Sequence, residues 1–320
     1  MDKPNDESVK MVLTVTLNPA IDRTILADGF RVNAVNRGQP VLAAAGGKGI
    51  NVSRAVFRLG GNTEALSVLG GETGKLALKL LRDEGIRIRY VAIEGETRTC
   101  YGIIDRKLGT ETILNESGPL VLDGEREKFL KLFENSVSRG GWVVISGSTA
   151  RGFGDEIYYD LISIANEKGA HTVLDATATY LTRGVEAVPY LVKLNMEELA
   201  SLVHGNVDNV DDMMGEMERL ILKGINMVVV TRAEKGALAM TRDRLLSIKP
   251  PEVAAVNTWG SGDCVVAGIL VGLIEGNSID EALKYGVAAG TANTLSYGAG
   301  FINNRDVSEI LQGVTSARVL

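Results

Sequence analysis

The sequence predicts an α/β protein: a doubly wound, mostly parallel sheet flanked by helices, with a small inserted β-sheet lid. Three observations lead there. Short apolar, β-branched runs alternate with stretches of helical period, the pattern that builds βαβ units. Those runs are apolar throughout, as strands covered on both faces require. Two segments, 30–45 and 97–119, break the alternation with strand-like composition, and the second turns near Lys107-Leu108-Gly109, the mark of a satellite hairpin sheet.

Taken in order, the first strand is Met11 to Leu17 (MVLTVTL), ending at Asn18-Pro19. Helices are expected at 49–59 and 74–83 with a strand at 63–69 between them, then a helix over 123–139, a strand at 142–145 and a helix near 155–168. Strands follow at 172–175 and 190–193, helices at 195–203 and 210–223, and a strand at 226–231. A β-rich stretch over 236–254 precedes helices at about 262–275 and 278–297 and a short one at 306–311. With no linker, repeat or low-complexity tract, we expect one domain over 11–315, with lid strands at about 23–45 and 97–118 inserted in it.

Composition narrows the function. The chain has 320 residues, 45% hydrophobic and 23% charged, enough for a full core. A net charge of -6 argues against a generic nucleic-acid binder and for a small-molecule partner. Cys100 and Cys264 make neither a disulfide framework nor a zinc spacing, and His171 and His204 cannot make a histidine metal site. The first ten residues are polar and no apolar run approaches ~18 residues, so we expect no signal peptide, no membrane partner and a cytoplasmic location.

The most informative segment is 253–267, VAAVNTWGSGDCVVA. Gly260-Ser261-Gly262 lets backbone N–H groups converge at a helix N-terminus, where they and the macrodipole favour an anion. Asp263 in the first turn would stand beside that anion and could accept a proton from an attacking hydroxyl, or it could simply cap the helix. Gly46-Gly47-Lys48-Gly49-Ile50-Asn51 opens the first long helix with a cation and an amide, which suits a sugar phosphate but equally describes a flexible turn. It is not a Walker loop, lacking the spacing and the Ser or Thr after Lys. Asn195 and Glu198, one turn apart after a strand, form either a hard-cation pair or an N-cap box. Cys264 reads as a small core residue or an activated thiol, and Trp259 as packing over a nucleotide or as core.

Asn18-Pro19-Ala20-Ile21-Asp22, Gly46 to Asn51, Ser146-Gly147-Ser148, Asn195 to Glu198 and Gly260 to Asp263 occur in the order seen in the PfkB branch of the ribokinase superfamily. The chain resembles that family over about residues 11–315, and within it the 1-phosphofructokinase and tagatose-6-phosphate kinase group, through TLNPAID, AGGKGINVSRA and GETRTC. The resemblance implies a ribokinase-like fold and ATP-dependent phosphorylation of a ketose phosphate, fructose 1-phosphate first, with tagatose 6-phosphate or fructose 6-phosphate as alternatives.

By the same resemblance, Asp263 is the catalytic base and Gly260, Ser261 and Gly262 the anion hole. Asp22 and Asn51 bind sugar hydroxyls; Lys48 and Arg98 neutralise the substrate phosphate; Gly47 is a further substrate-binding position, and Ser146 and Ser148 line the same pocket. Asn195 and Glu198 organise Mg2+ and the ATP phosphates, Lys193 flanks them, Thr231 to Gly236 is the loop near those phosphates, and Asn293 faces the adenine. A homodimer through the lid is expected. Three places depart from the family pattern: Lys193-Leu194-Asn195 for Lys-Pro-Asn, a missing glycine in 231–236, and Thr149-Ala150-Arg151 for Leu-Pro, where Arg151 is either a second phosphate contact or a surface residue. A kinase for an uncharged sugar would not need the Lys48 and Arg98 pair. A sensor that had kept the fold and lost turnover would not need an intact Asp263. No Gly-x-Gly-x-x-Gly follows the first strand, which removes a dehydrogenase.

Overall fold

The computed structural model describes residues 10–202 and 210–319; the stretch 1–9, His204 and the helix end expected at Val203 lie outside them. Among the described residues the strands are β1 Met11–Thr16, β2 Ala20–Ala27, β3 Gln39–Gly46, β4 Asn62–Gly70, β5 Ile88–Ile93, β6 Arg98–Asp105, β7 Thr110–Asn115, β8 Trp142–Gly147, β9 His171–Ala176, β10 Leu191–Asn195, β11 Met227–Thr231, β12 Ala237–Met240, β13 Leu245–Lys249 and β14 Thr315–Arg318. The helices are α1 Lys48–Arg58, α2 Gly71–Asp83, α3 Asp123–Ser136, α4 Ile157–Glu167, α5 Ala178–Gly184, α6 Met196–Leu202, α7 Val210–Leu222, α8 Ser261–Ile274, α9 Ile279–Asn293 and α10 Asn304–Gly313.

Ten strands form one sheet in the order β14-β13-β12-β11-β10-β9-β8-β1-β4-β5. From β5 to β11 every pairing is parallel, and the β12 to β14 edge is antiparallel. The continuous apolar runs are explained by burial on both faces. Val12, Val144, Val173 and Val229 point to a core built with α1, α8, α9 and α10, while Leu13, Val143, Leu174 and Val228 point to one built with α3, α4, α6 and α7. Strand order reverses at β1, which lies between β4 and β8, and at such a switch point a crevice opens beyond the carboxyl ends of the strands.

The four remaining strands form a separate sheet in the order β3-β2-β6-β7. Its first strand begins at Ala20, earlier than expected, and 28–38 is not strand. Isoleucines and alanines hold it to the main body: Ile21 and Ala45 pack with Ile50, Leu69 and Leu81. The turn between β6 and β7 falls where expected, held by the Asp105 carboxylate, which accepts from the N–H groups of Lys107 and Leu108 at 2.9 and 3.1 Å.

Three elements had no counterpart in the sequence reading. β5 (IRYVAI) is a sheet edge in which only Val91 and Ile93 are buried. β14 (TSAR) is a polar edge strand whose pairing with β13 is entirely tertiary. α5 (ATYLTRG) is poor in helix formers and is stabilised where Leu181 meets the core. The expected helix 278–297 ends at Asn293, past which the chain turns.

Candidate active site

The expected site residues come from the carboxyl ends of β8, β10 and β11, from β2 and β6 of the small sheet, from the starts of α1, α6 and α8, and, in Asn293, from the end of α9. Two hollows meet there. One, of about 260 Å³, is lined by Thr16, Asn18, Asp22, Gly47, Lys48, Asn51, Arg98, Cys100, Asn115, Ser146, Gly147, Ser148, Thr177 and Trp259. The other is a larger, mainly apolar cleft of about 660 Å³, with Thr231, Gly236, Pro250, Pro251, Ser261, Gly262, Val265, Val287 and Thr291 in its walls. The segment 258–263 separates them.

Asp263 stands at this partition. Gly260 carries φ 80°, a left-handed conformation that costs glycine no strain, and turns the chain into α8, which begins at Ser261; Ser261 and Gly262 line the larger cleft, and the Ser261 N–H donates to Thr258 O at 3.2 Å. Asp263 is third in the helix and 4% exposed. Burial, and then the charge of Asp175, push its carboxyl up to about 7, while the Asn51 amide opposes them by donating to Oδ2 at 2.9 Å. The pKa of Asp22 is likewise raised to about 7 by burial, against the pull of Arg54 and Arg98. Its carboxylate lies against Gly46, where a Cβ would come within 1.8 Å of Oδ2.

Behind these groups lies an ionic cluster that the sequence reading missed. Asp175, fully buried at the end of β9, accepts on Oδ1 from Lys48 Nζ at 2.9 Å and from Lys193 Nζ at 3.1 Å. Burial disfavours its charge, but the two ammonium groups outweigh that and hold the carboxyl below the ordinary range. For Lys48 burial acts first, downward, and the carboxylates of Asp175 and Glu198 more than reverse it, so the ammonium stays charged. Lys193 Nζ lies under Gly262, 2.8 Å from where a Cβ would stand, so a cation sits directly beneath the glycine turn. No spacing rule links Asp175 to Lys48, 127 residues away; the only local signal was a carboxylate ending an apolar run.

Asn195 and Glu198 adopt the cap, one of the two arrangements left open. Asn195 Oδ1 accepts from the Glu198 N–H and Glu198 Oε2 from the Asn195 N–H, both at 2.8 Å. Glu198 Oε1 takes Lys48 Nζ at 3.1 Å. Each of these oxygens already has one partner, Asn195 Oδ1 and Glu198 Oε2 within the cap and Glu198 Oε1 on Lys48. Among the described residues no group of three or more His, Cys, Asp or Glu could hold a metal ion.

Other expectations sort by position. Asp22, Gly47, Lys48, Asn51, Arg98, Ser146 and Ser148 all line the smaller hollow, Ser261 and Gly262 line the larger cleft, and Gly260 and Asp263, on either side of that pair in sequence, line neither. Within the hollow, Thr16 Oγ1 and Ser146 Oγ are buried without a hydrogen-bond partner. Arg98 donates to the backbone carbonyls of Asn18 and Glu116 at the rim, at 3.0 and 2.8 Å. Thr231 and Gly236 line the cleft. Asn293 does not: it is fully buried, its Nδ2 donating to Trp259 O at 2.8 Å and to Ser261 Oγ at 3.2 Å, and its Oδ1 accepting from Gly300 N at 2.9 Å. It braces the turn from beneath, because its amide has no free face left for a base.

Cys264 is core, its thiol pushed up by burial and then by the Asp263 charge. Cys100 is also a free thiol, pushed up to about 11 by burial. Arg151 is exposed and outside the smaller hollow. Arg54, not singled out in the sequence, is 1% exposed. It donates to both oxygens of Glu84 at 2.5 and 3.0 Å, to Asn51 Oδ1 at 3.2 Å and to the carbonyls of Ala45 and Ala299 at 2.5 and 3.1 Å.

A buried carboxylate beside a glycine turn at a helix N-terminus, between two hollows on a ribokinase-like α/β fold, is the setting of a phosphotransferase. The sequence pattern described as pfkB family carbohydrate kinase matches residues 13–305, and the chain belongs to that family. It is 32% identical over 311 residues to a tagatose-6-phosphate kinase of Staphylococcus epidermidis, covering 95% of this chain and 98% of that one. It is 32% identical over 286 residues to a 1-phosphofructokinase of Bacillus subtilis, covering 89% and 93%. The structure of Escherichia coli phosphofructokinase-2 in complex with substrates and products superposes with a TM-score of 0.89 at 29% identity, over 94% of this chain and 98% of that one.

Proposed function

We propose that this kinase transfers the γ-phosphoryl group of ATP to a hydroxyl of a ketose phosphate, fructose 1-phosphate to fructose 1,6-bisphosphate being the first choice. The observation that carries the reading is Asp263 buried in the first turn of α8, bonded to Asn51, which lines the smaller hollow, and next in sequence to Ser261 and Gly262, which line the larger. The smaller hollow takes the sugar, with Asp22 and Asn51 on its hydroxyls, the unpartnered Thr16 and Ser146 hydroxyls on its floor and Arg98 at the rim for its phosphate. The apolar cleft takes the adenosine, and the glycine turn over Lys193 takes the phosphates.

As the acceptor oxygen bonds to the γ-phosphorus, the bond from that phosphorus to the β-phosphate bridge oxygen breaks. The acceptor proton passes to Asp263, and developing charge meets the amides of 260–262 and the Lys193 cation. Lys48, tied to Asp175 and Glu198, acts mainly by fixing the cluster. Mg2+ arriving with ATP neutralises phosphate charge when bound.

In this reading residues 11–315 work as one unit and the small sheet is its lid. Exposed Val32, Val35, Ile113 and Leu114 on or beside that sheet favour a homodimer through it. No helix among the described residues is long and apolar enough to cross a membrane, in keeping with work in the cytoplasm.

The test is ADP release with Mg·ATP and, separately, fructose 1-phosphate, tagatose 6-phosphate, fructose 6-phosphate and free fructose. Preference for one phosphorylated ketose is expected. Release with free fructose alone, or with none of the four, counts against the reading and, in the second case, favours a sensor.

A further inference from the structure

Trp259 is the one large aromatic in the wall of the smaller hollow, although the sequence offered only nucleotide packing or core burial for it. Its placement follows from β6. Arg98, Cys100 and Gly102 alternate along that strand, so all three face the same side, and the first two line the hollow. The third position is where the ring lies: a Cβ on Gly102 would come within 3.1 Å of Trp259 Cε3 and Cζ3. A bare glycine there leaves room for the indole beside the small sheet.

The same loop is clamped from both sides. Above, Glu111 Oε2 on β7 accepts from Thr258 Oγ1 at 2.8 Å and from Thr258 N at 3.2 Å. Below, Trp259 O accepts from Asn293 Nδ2. The next residue is Gly260, where the anion-binding turn starts. The indole thus spans the gap between the small sheet and the turn, on the sugar side of the partition, while Thr258 lines the cleft on the other.

We infer that Trp259 is a specificity-determining residue for the acceptor: its ring supplies the apolar wall against the sugar's C–H face, limits acceptor size, and seals the hollow from water between the small sheet and the glycine turn. This rests on the sugar-phosphate kinase reading above. The chemistry is that of carbohydrate pockets generally, in which an apolar ring covers one face while a few polar groups fix orientation. Excluding water at that seam also disfavours hydrolysis of the phosphoryl donor.

The experiment compares wild type with Trp259→Phe, Trp259→Ala and Gly102→Ala. In Trp259→Ala the acceptor KM rises about tenfold, the ATP KM stays within about twofold, and acceptor-independent ADP release increases. Trp259→Phe keeps most of the acceptor affinity, and Gly102→Ala, whose methyl displaces the ring, shifts the acceptor KM in the same direction as Trp259→Ala. An unchanged acceptor KM in Trp259→Ala, or an equal rise for ATP, overturns the assignment.

Indole emission gives a second readout that does not need turnover. Fructose 1-phosphate, tagatose 6-phosphate and fructose 6-phosphate are titrated into wild type and Trp259→Phe, with ATP titrated separately. A sugar-phosphate response lost in Trp259→Phe supports the assignment even where ADP release fails and the kinase reading falls. A response to ATP alone, or none to any sugar phosphate, overturns it.

Discussion

The Asn51 amide donates from Nδ2 to Oδ2 of Asp263 across 2.9 Å. The opposite end of the same amide accepts from Arg54 Nη1 at 3.2 Å, so the amide is held in the one orientation that offers the carboxylate a donor. Arg54 is itself fixed by Glu84 and two carbonyls. The proposed base is therefore aimed by a buried relay reaching from α2 to α8.

Asp263→Asn keeps the shape and the Asn51 contact but removes the proton acceptor. Turnover is expected to fall by about 10²–10⁴, with ATP affinity within about twofold of wild type. ADP-release kinetics and calorimetric titration check this; near-normal turnover would remove Asp263 from the mechanism.

Because burial lifts Asp263 to about 7 and a base must be ionised, kcat/KM should rise with pH up to about 7 and level off above it. Asp175→Asn removes the negative neighbour that helps raise that value, so the break should move to lower pH. A pH profile of kcat/KM for both proteins decides; a break that stays put or moves up would contradict the cluster's role.

Stability carries the opposite sign. Asp22 and Asp263 are raised from 3.8 to about 7, so between those values the folded protein holds protons that the unfolded chain releases. Their contribution is present below about 4, and falls away as pH rises through about 7. Urea midpoints measured across that window should show these two carboxyls lowering stability as pH rises, and Asp22→Asn should flatten the slope.

Arg54→Ala leaves the half-buried Glu84 carboxylate and two carbonyls without their donor, and should cost roughly 1–3 kcal/mol of unfolding free energy. Arg54→Lys keeps the charge but not the fork; it should retain more stability and still lose turnover, because Asn51 Oδ1 loses its donor. Denaturation curves with kcat measured at a temperature where both remain folded separate the two effects.

Much of this was legible in the sequence, for identifiable reasons. Buried parallel strands need unbroken apolar runs, so β1, β8, β10 and β11 announce themselves. The glycine turn and the carboxylate after it lie within four consecutive residues, so their juxtaposition at a helix N-terminus is local. The edge strands β5 and β14 and the short α5 were not legible, since their stability comes from neighbours rather than from their own residues.

The sequence by itself determined the alternation of elements, the position of the glycine turn at the start of α8 and the residue types gathered around it, because those follow from periodicity and from contacts a few residues apart. Only the tertiary structure decided that Asp175 binds Lys48 and Lys193 at once, that Asn293 braces the turn from beneath, that Arg54 orients Asn51, and that Trp259 lines the smaller hollow. Each depends on side chains tens to hundreds of residues apart meeting in a space with little water. There an unpaired charge or an unfilled gap is costly, so partners are fixed by packing geometry and not by sequence spacing.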